Sequence, residues 1–155
     1  MANRARRSLE STILWLGLAL AAAGCAGDAP ATADRLEVRQ PRATLLTPDM
    51  GVAYLTVVNP GPAGDRLLRV ETGAARLAET HETVEENGVM RMLPRPEGFE
   101  VPAGGTLELQ PGGKHIMLVE PRAPEGASRI GLTLHFERAG AIQVEAALSP
   151  VGEMP

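Results

Sequence analysis

The sequence predicts a small all-β protein, either a β-sandwich or a small barrel, and three observations support this prediction. Short stretches rich in β-branched residues alternate with turn residues along the body of the chain. Thirteen Pro and seventeen Gly among 155 residues favour many turns over long helices. Aromatic residues make up only 3% of the chain, so the core has to be built mostly from Val, Leu, Ile and Ala. A chain of this length has room for one domain.

About eight to ten short strands are predicted, in ten segments that are apolar or alternating and end at turn residues. In chain order they are 35–39, 52–58, 66–70, 76–81, 89–92, 99–101, 106–110, 115–119, 129–136 and 141–147. The Glu-Asn-Gly sequence at 86–88 predicts a tight hairpin between the fourth and fifth of them. The body shows neither the pattern of a helix of three turns or longer nor a repeat of fixed period.

Residues 1–24 are predicted to be a bacterial export signal of the lipoprotein type, with Cys25 as the lipidated residue. Arginines precede an apolar run from Ile13 to Ala23, which is shorter than the roughly 20 residues of a transmembrane helix. The run leads into Ala-Ala-Gly-Cys, which resembles a lipobox. An ordinary signal peptide, cut at a small-x-small site, is the alternative.

The rest of the chain divides into a flexible tether at 25–34, one folded domain at 35–148 and a frayed tail at 149–155. Cys25 is the only cysteine, so the body has neither a disulfide nor a thiolate metal ligand. Ala26, rather than Asp, follows this Cys. By analogy with lipoprotein sorting in Gram-negative bacteria, we expect a periplasmic protein that is anchored to the outer membrane.

The charge and the remaining polar residues exclude several classes of function. The formal net charge is −4, so the chain lacks the basic surface that binds nucleic acid or anionic lipid. Contact with a membrane is therefore expected through the lipid anchor only. Ser128 and Ser149 lie in no nucleophile motif, and no acid–base pair has a supporting context. We therefore predict that the protein is not an enzyme.

A cluster of His and Met between residues 81 and 117 is the best candidate for chemistry. His115 and Met117 are two residues apart on one predicted strand, so their side chains share a face. Met92 lies on the hairpin arm that follows the strand of His81, and these two are predicted to face each other across the turn. Met90 is on the same strand face as Met92 and is an alternative ligand.

Two imidazoles and two thioethers form a ligand set that favours Cu(I). Thioethers are neutral and polarisable, whereas Mg²⁺ and Ca²⁺ prefer oxygen ligands. Zn²⁺ commonly takes its ligands from Cys, Asp or Glu besides His. Any single Met in a strand is more often core filler, so only the combination indicates a metal site. His135 is interpreted as solvent-facing, and Met50 and Met154 receive no role.

Linked motifs over the whole body resemble those of the PCu(A)C family of periplasmic copper chaperones. The pattern His81-x₁₀-Met92-x₂₂-His115-x-Met117 resembles the family signature His-x₁₀-Met-x₂₁-His-x-Met, with one extra residue before His115. That residue falls in an interval with two turns, which can absorb it. The surrounding segments that match are Ala53–Gly61, Thr80–Thr83, Gly88–Met92, Val101–Thr106 and Gln110–Met117.

This resemblance implies a cupredoxin-like, immunoglobulin-like antiparallel β-sandwich that binds Cu(I) through His81, Met92, His115 and Met117. It also implies delivery of copper by ligand exchange to an acceptor, either cytochrome c oxidase subunit II with its binuclear copper centre or another copper chaperone. Some relatives carry a C-terminal extension rich in His and Met, of which this chain has only Met154. A blue-copper role is excluded because that site requires a Cys thiolate.

Two other functions remain open at the level of the sequence. One is a copper buffer or resistance protein that uses the same ligands without a dedicated acceptor. The other is a metal-free β-sandwich interaction module on a lipid anchor. Cu(I) would stabilise a protein with a real metal site against unfolding, but it would leave a metal-free module unchanged.

Overall fold

A computed structural model describes residues 35–149, and within that range all regular elements are strands. They are β1 (Glu37–Thr47), β2 (Met50–Val58), β3 (Asp65–Glu71), β4 (Ala75–Glu86), β5 (Val89–Pro94), β6 (Phe99–Val101), β7 (Thr106–Leu109), β8 (Lys114–Pro121), β9 (Arg129–Phe136) and β10 (Gly140–Ser149). The predicted export signal, Cys25 and nearly all of the predicted tether and tail lie outside the described residues. Between residues 35 and 149 we find no helix with the length and hydropathy needed to cross a bilayer.

The strands follow one hydrogen-bonded path in the order β5-β4-β8-β2-β1-β10-β9-β3-β6, with β7 beside β2. The β1–β10 pair is parallel and the other pairs are antiparallel. Buried side chains from both halves of this path belong to one hydrophobic core, so the sheet wraps around that core in two layers. The predicted all-β architecture is confirmed, and each of the ten segments overlaps a strand, which is the upper end of the predicted eight to ten.

Strict alternation along the strands separates the core from the surface that carries the predicted ligands. In β8, Ile116 and Leu118 are fully buried in the core, whereas His115 and Met117 point the other way. We call this second side of β5, β4, β8, β2 and β1 the outer face. Each large aliphatic side chain buried in the core contributes about 1.5–3 kcal/mol to folding. The register of the strands is therefore strongly fixed, because a slip by one residue would turn the core side chains to solvent.

Two strands, β1 and β4, extend more than two residues beyond their predicted bounds. β1 was predicted at 35–39 but continues past Gln40 and Pro41 through a bulge, where Gln40 has a φ of 50°. Proline cannot donate a hydrogen bond to a neighbouring strand, so the sequence around Pro41 is typical of the end of a strand. β4 was predicted to end at His81 but reaches Glu86, since the acidic run pairs with β5 up to the turn.

Two turns fix the ends of the β4–β5 hairpin. Asn87 and Gly88 both have positive φ, 56° and 79°, as a two-residue type I′ turn requires, which confirms the predicted hairpin. At the other end, Gly98 donates its N–H to Arg95 O and has a φ of 71°. A Cβ at Gly98 would lie 1.8 Å from Leu67 O, so only glycine allows this close approach to β3.

Candidate metal centre

The strand register brings three of the four predicted ligands together on the outer face. His81 of β4 lies directly opposite His115 of β8. We call a set of residues that face one another across neighbouring strands a row. In the next row on this face, Glu79 lies opposite Met117. Cross-strand partners share a face of the sheet, so the two imidazoles and the Met117 thioether are neighbours on one surface.

Met92 joins this group diagonally and not directly, which corrects the sequence prediction. The residue opposite Met92 is Thr83, whereas the direct partner of His81 on β5 is Pro94. The two-residue turn sets this register, and it leaves Met92 one row from His81, at a diagonal Cα separation of about 7–8 Å. Met90 lies one row further, roughly 13 Å along the strands from the level of His81.

The two imidazole rings are close enough to share one ion. Their centroids are 5.9 Å apart and the ring planes are inclined by 50°. With metal–nitrogen bonds of about 2 Å, two rings on one ion have centroids roughly 5–6.5 Å apart. The observed separation of His81 and His115 falls in this range without any movement of the backbone.

Each imidazole is oriented by one hydrogen bond, and each has its other nitrogen buried without a partner among the described residues. His115 Nδ1 donates to Gly113 O at 3.0 Å, and His115 Nε2 is left free. His81 Nε2 donates to Glu79 Oε2 at 3.2 Å, and His81 Nδ1 is left free. Buried polar atoms normally have partners, and a metal-binding imidazole typically donates its second N–H to a carbonyl or a carboxylate. Each of the two rings therefore has an orienting partner on one nitrogen and a free second nitrogen.

The Gly113 carbonyl connects the hairpin to the histidine row. Besides His115 Nδ1, it accepts a hydrogen bond from Thr83 N at 3.0 Å. This one carbonyl oxygen therefore orients the His115 ring. It also holds Thr83, the residue of β4 that lies opposite Met92. Gly113 and Glu79 were missed in the sequence as orienting residues. The available signal was that each precedes its histidine by two residues and so shares its strand face.

The surroundings of His115 favour its neutral form. Burial lowers the pKa of His115 from its ordinary value of 6.5, and the nearby His81 lowers it further, while the hydrogen bond to Gly113 acts in the opposite direction. The residue is only 3% exposed, which is why burial has the largest effect on its pKa. A neutral imidazole keeps a lone pair for a metal ion near neutral pH.

The thioethers differ in how far solvent reaches them. Met92 is 47% exposed on the edge strand β5, and Met90 is 57% exposed towards the hairpin turn. Met117, on the inner strand β8, is partly buried. In residues 35–149 no group of three or more His, Cys, Asp or Glu side chains is arranged to hold a metal ion. The predicted ligands supply imidazole nitrogen and thioether sulfur, a soft set, and the Glu79 carboxylate beside them accepts a hydrogen bond from His81 Nε2.

The remaining His and Met of the described range lie elsewhere or at the margin. His135 is on β9, in the other half of the sheet, where its side chain is 23% exposed and lies 3.1 Å from Glu71 Oε2. It is therefore less exposed than predicted, because the charged side chains of Arg69 and Glu71 on β3 lie next to it. Met50 is on β2 opposite Val119, which places it on the outer face.

Comparison with known sequences identifies relatives over most of the chain. The profile of the family described as "Putative lipoprotein LpqE-like" matches residues 36–148. A protein of Leifsonia xyli subsp. xyli named "Putative lipoprotein Lxx21020" is 34% identical over 142 residues, covering 86% of this chain and 83% of the relative. An uncharacterised protein of Rickettsia prowazekii is 26% identical over 85 residues, covering 54% and 47%.

Solved structures show the same fold. The copper-bound PCuAC domain from PmoF2 has a TM-score of 0.62 at 22% identity, over 75% of this chain and 93% of that domain. The solution structure of CuI-DR1885 from Deinococcus radiodurans has a TM-score of 0.55 at 26% identity, over 77% of this chain and 83% of that protein. The resemblance to PCuAC domains and the cupredoxin-like β fold predicted from the sequence are confirmed.

Proposed function

The chain belongs to the LpqE-like family, and on that premise we propose that it carries one Cu(I) ion outside the cytoplasm and passes it to an acceptor protein. His81, His115 and Met117 hold the ion, and Met92 completes the coordination. The observation that carries this proposal is the pair of buried imidazole nitrogens, His81 Nδ1 and His115 Nε2, which have no partner among the described residues although their rings are 5.9 Å apart.

Copper in its reduced state suits these donors best. Neutral imidazole and thioether ligands match the soft Cu(I) ion and are poor partners for Mg²⁺ or Ca²⁺. Two of the structures with this fold are named as copper-bound and as a CuI form, and this supports the choice of metal. Because none of the four ligands carries a negative charge, the bound ion keeps its own charge and stays open to a competing ligand.

The uneven exposure of the ligands favours transfer over permanent storage. His115 is 3% exposed and held by a backbone carbonyl, whereas Met92 is 47% exposed on an edge strand. An acceptor can therefore approach the ion from the side of Met92, the most exposed of the four ligands. Transfer is ligand exchange at constant oxidation state, so the protein needs no catalytic group.

Export, anchoring and a particular acceptor complete the proposal. We place the folded domain in the periplasm on a lipidated Cys25, in line with the lipoprotein names of the family and of the Leifsonia relative. Membrane contact is then made by the lipid alone, with the outer membrane as its expected location. The acceptor we propose is the binuclear copper centre of cytochrome c oxidase subunit II.

An anaerobic Cu(I) competition titration tests the site. The chain from Ala26 onward is titrated against a chromogenic Cu(I) chelator, beside its His115→Ala/Met117→Ala variant. We expect one tightly bound equivalent in the native protein and its loss in the variant, with circular dichroism showing that both are folded. Equal stoichiometry and affinity in the two proteins would overturn the site.

A second experiment tests the acceptor. The Cu(I)-loaded protein is mixed with the soluble domain of an oxidase subunit II at a Cu(I) activity held constant by the chelator. A chaperone loads the binuclear centre faster than the buffered copper alone does. Loading at the rate of the buffered copper would instead assign the protein to copper buffering.

A further inference from the structure

The four methionines of the described range avoid the core and lie together on the outer face. The buried cluster of the core contains Val, Leu, Ile, Ala and Phe, and within residues 35–149 no Met belongs to it. Met usually fills gaps in hydrophobic cores, so this distribution is unusual. The residues concerned are Met50, Met90, Met92 and Met117.

The strand register arranges these residues in five successive rows, spaced by two residues or roughly 6.7 Å. Met50 lies in the first row, opposite Val119, and Met117 lies in the second row, diagonally from Met50 on β8. The third row holds the histidine pair, the fourth Met92 and the fifth Met90. We call this sequence of soft side chains the methionine diagonal. It crosses the outer face from β2 to the hairpin, with the proposed copper site at its middle.

The two ends of the diagonal are equally far from the histidine row but differ in access. Met90 is 57% exposed on the edge strand, near the turn, whereas Met50 is partly buried between β1 and β8. Met90 also lies directly opposite Glu85, whose carboxylate favours a passing cation. An acceptor can therefore reach copper at the Met90 end of the diagonal.

We propose that Met90 is the hand-off ligand, a thioether that binds Cu(I) transiently as the ion leaves the four-ligand site. This inference rests on the proposed function. Met90 is two rows from the histidines, too far to coordinate together with them. It is two residues from Met92 on the same face, so both thioethers can reach one ion. The copper–nitrogen bonds to both histidines and the copper–sulfur bond to Met117 break as bonds to Met90 and to the acceptor form, while Met92 stays bound. Copper stays Cu(I), and no proton or electron is transferred.

Transfer kinetics separate this role from that of an equilibrium ligand. The Cu(I)-loaded native chain, Met90→Leu and the matched control Met50→Leu are mixed anaerobically with excess bicinchoninate in a stopped-flow instrument. Leucine keeps the apolar bulk and removes only the sulfur. We expect equilibrium affinity within about twofold of native in both variants, but transfer about tenfold slower in Met90→Leu alone, as for a barrier raised by about 1.4 kcal/mol.

The possible outcomes distinguish this inference from the proposed function. A native protein that binds no Cu(I) would remove the proposed function itself. Normal binding with equal transfer rates in all three proteins would overturn the role of Met90, and equal slowing in both variants would overturn the choice of the hairpin as the exit.

A spectroscopic readout does not depend on transfer. With ¹³C-methyl methionine and substoichiometric Ag(I), which mimics Cu(I), we expect the Met90 methyl signal to broaden through exchange while that of Met50 stays sharp. A Met90 signal that does not respond to Ag(I) would also contradict the inference.

Discussion

His81 and His115 on one half of the sheet can be compared with His135 on the other half, since all three point outward from strands. The first two each donate one N–H to a fixed acceptor and keep a second nitrogen free, beside thioethers. Nδ1 of His135 faces Arg69 Nη2 at 3.4 Å, and its Nε2 faces Glu71 Oε2 at 3.1 Å. Arg69 and Glu71 also pair with each other, so His135 belongs to a cluster of charges.

The difference shows that an outward-facing histidine is not enough for a metal centre. Nε2 of His135 is also buried without a hydrogen bond among the described residues, so what distinguishes the β4–β8 region is one orienting acceptor per ring, a second imidazole 5.9 Å away and soft neighbours in the adjacent rows. The β3–β9 region offers oppositely charged partners on both sides of the ring instead. These would compete with a metal ion for the nitrogen atoms.

Substitution of one histidine in each region should give the largest difference in Cu(I) affinity. We expect His115→Ala to weaken Cu(I) binding by more than about 100-fold, since loss of even an orienting partner costs about 10- to 100-fold. His135→Ala should keep the native affinity. Anaerobic chelator competition measures both. An equal loss in the two variants would mean that the histidines act through folding and not as ligands.

Substitution of the carboxylate next to one histidine in each region should give a smaller difference in Cu(I) affinity. Glu79→Gln replaces the charged acceptor of His81 Nε2–H by a neutral one, and we expect about tenfold weaker Cu(I) binding. Glu71→Gln, next to His135, is the matched control and should have no effect on copper. If Glu79→Gln behaved like this control, Glu79 would not position the ring.

The pH dependence of the copper-free protein should reflect the burial of His115. Its pKa is lowered in the folded state, so below pH 6.5 the unfolded chain binds more protons than the folded one. The free energy of unfolding should therefore decrease as the pH falls from 6.5 towards the folded pKa. Urea titrations at several pH values, with His115→Gln as control, measure this, and NMR follows the imidazole directly. A pH slope unchanged in His115→Gln would contradict the assignment.

The smallest effect is expected when a thioether is added to the β3–β9 region. Thr133→Met places a methionine two residues before His135 on the same strand face, as a mirror of the His115 and Met117 pair. We expect the Cu(I) stoichiometry to remain one, because Arg69 and Glu71 occupy the surroundings of the ring. A second bound equivalent would show that a His and a Met at this spacing suffice.

The sequence allowed much of this architecture to be predicted because strand signals are local. Alternation and turn residues located all ten strands, and Asn87-Gly88 specified the hairpin turn. The continuation of β1 beyond Pro41 could not be predicted, since it depends on pairing with β2 and β10 through a bulge. Spacing alone likewise placed His115 and Met117 on a common face.

The register between strands was the part of the site that the sequence left undetermined. His81 meets His115 only because β4 pairs with β8, more than thirty residues further along the chain. The same register makes Met92 a diagonal neighbour of His81 and puts Met90 one row beyond it. Orientation of the rings by Glu79 and Gly113 is equally a product of the folded arrangement.

The absence of methionine from the core within residues 35–149 has a consequence for oxidative damage. Oxidants convert methionine to a polar sulfoxide, which disrupts proteins whose cores contain this residue. Here the sulfoxides would form on the outer face, most readily at the exposed Met90 and Met92, while the aliphatic interior stays intact. An oxidised molecule would lose its thioether ligands and yet remain folded, in a form that methionine sulfoxide reductases could restore.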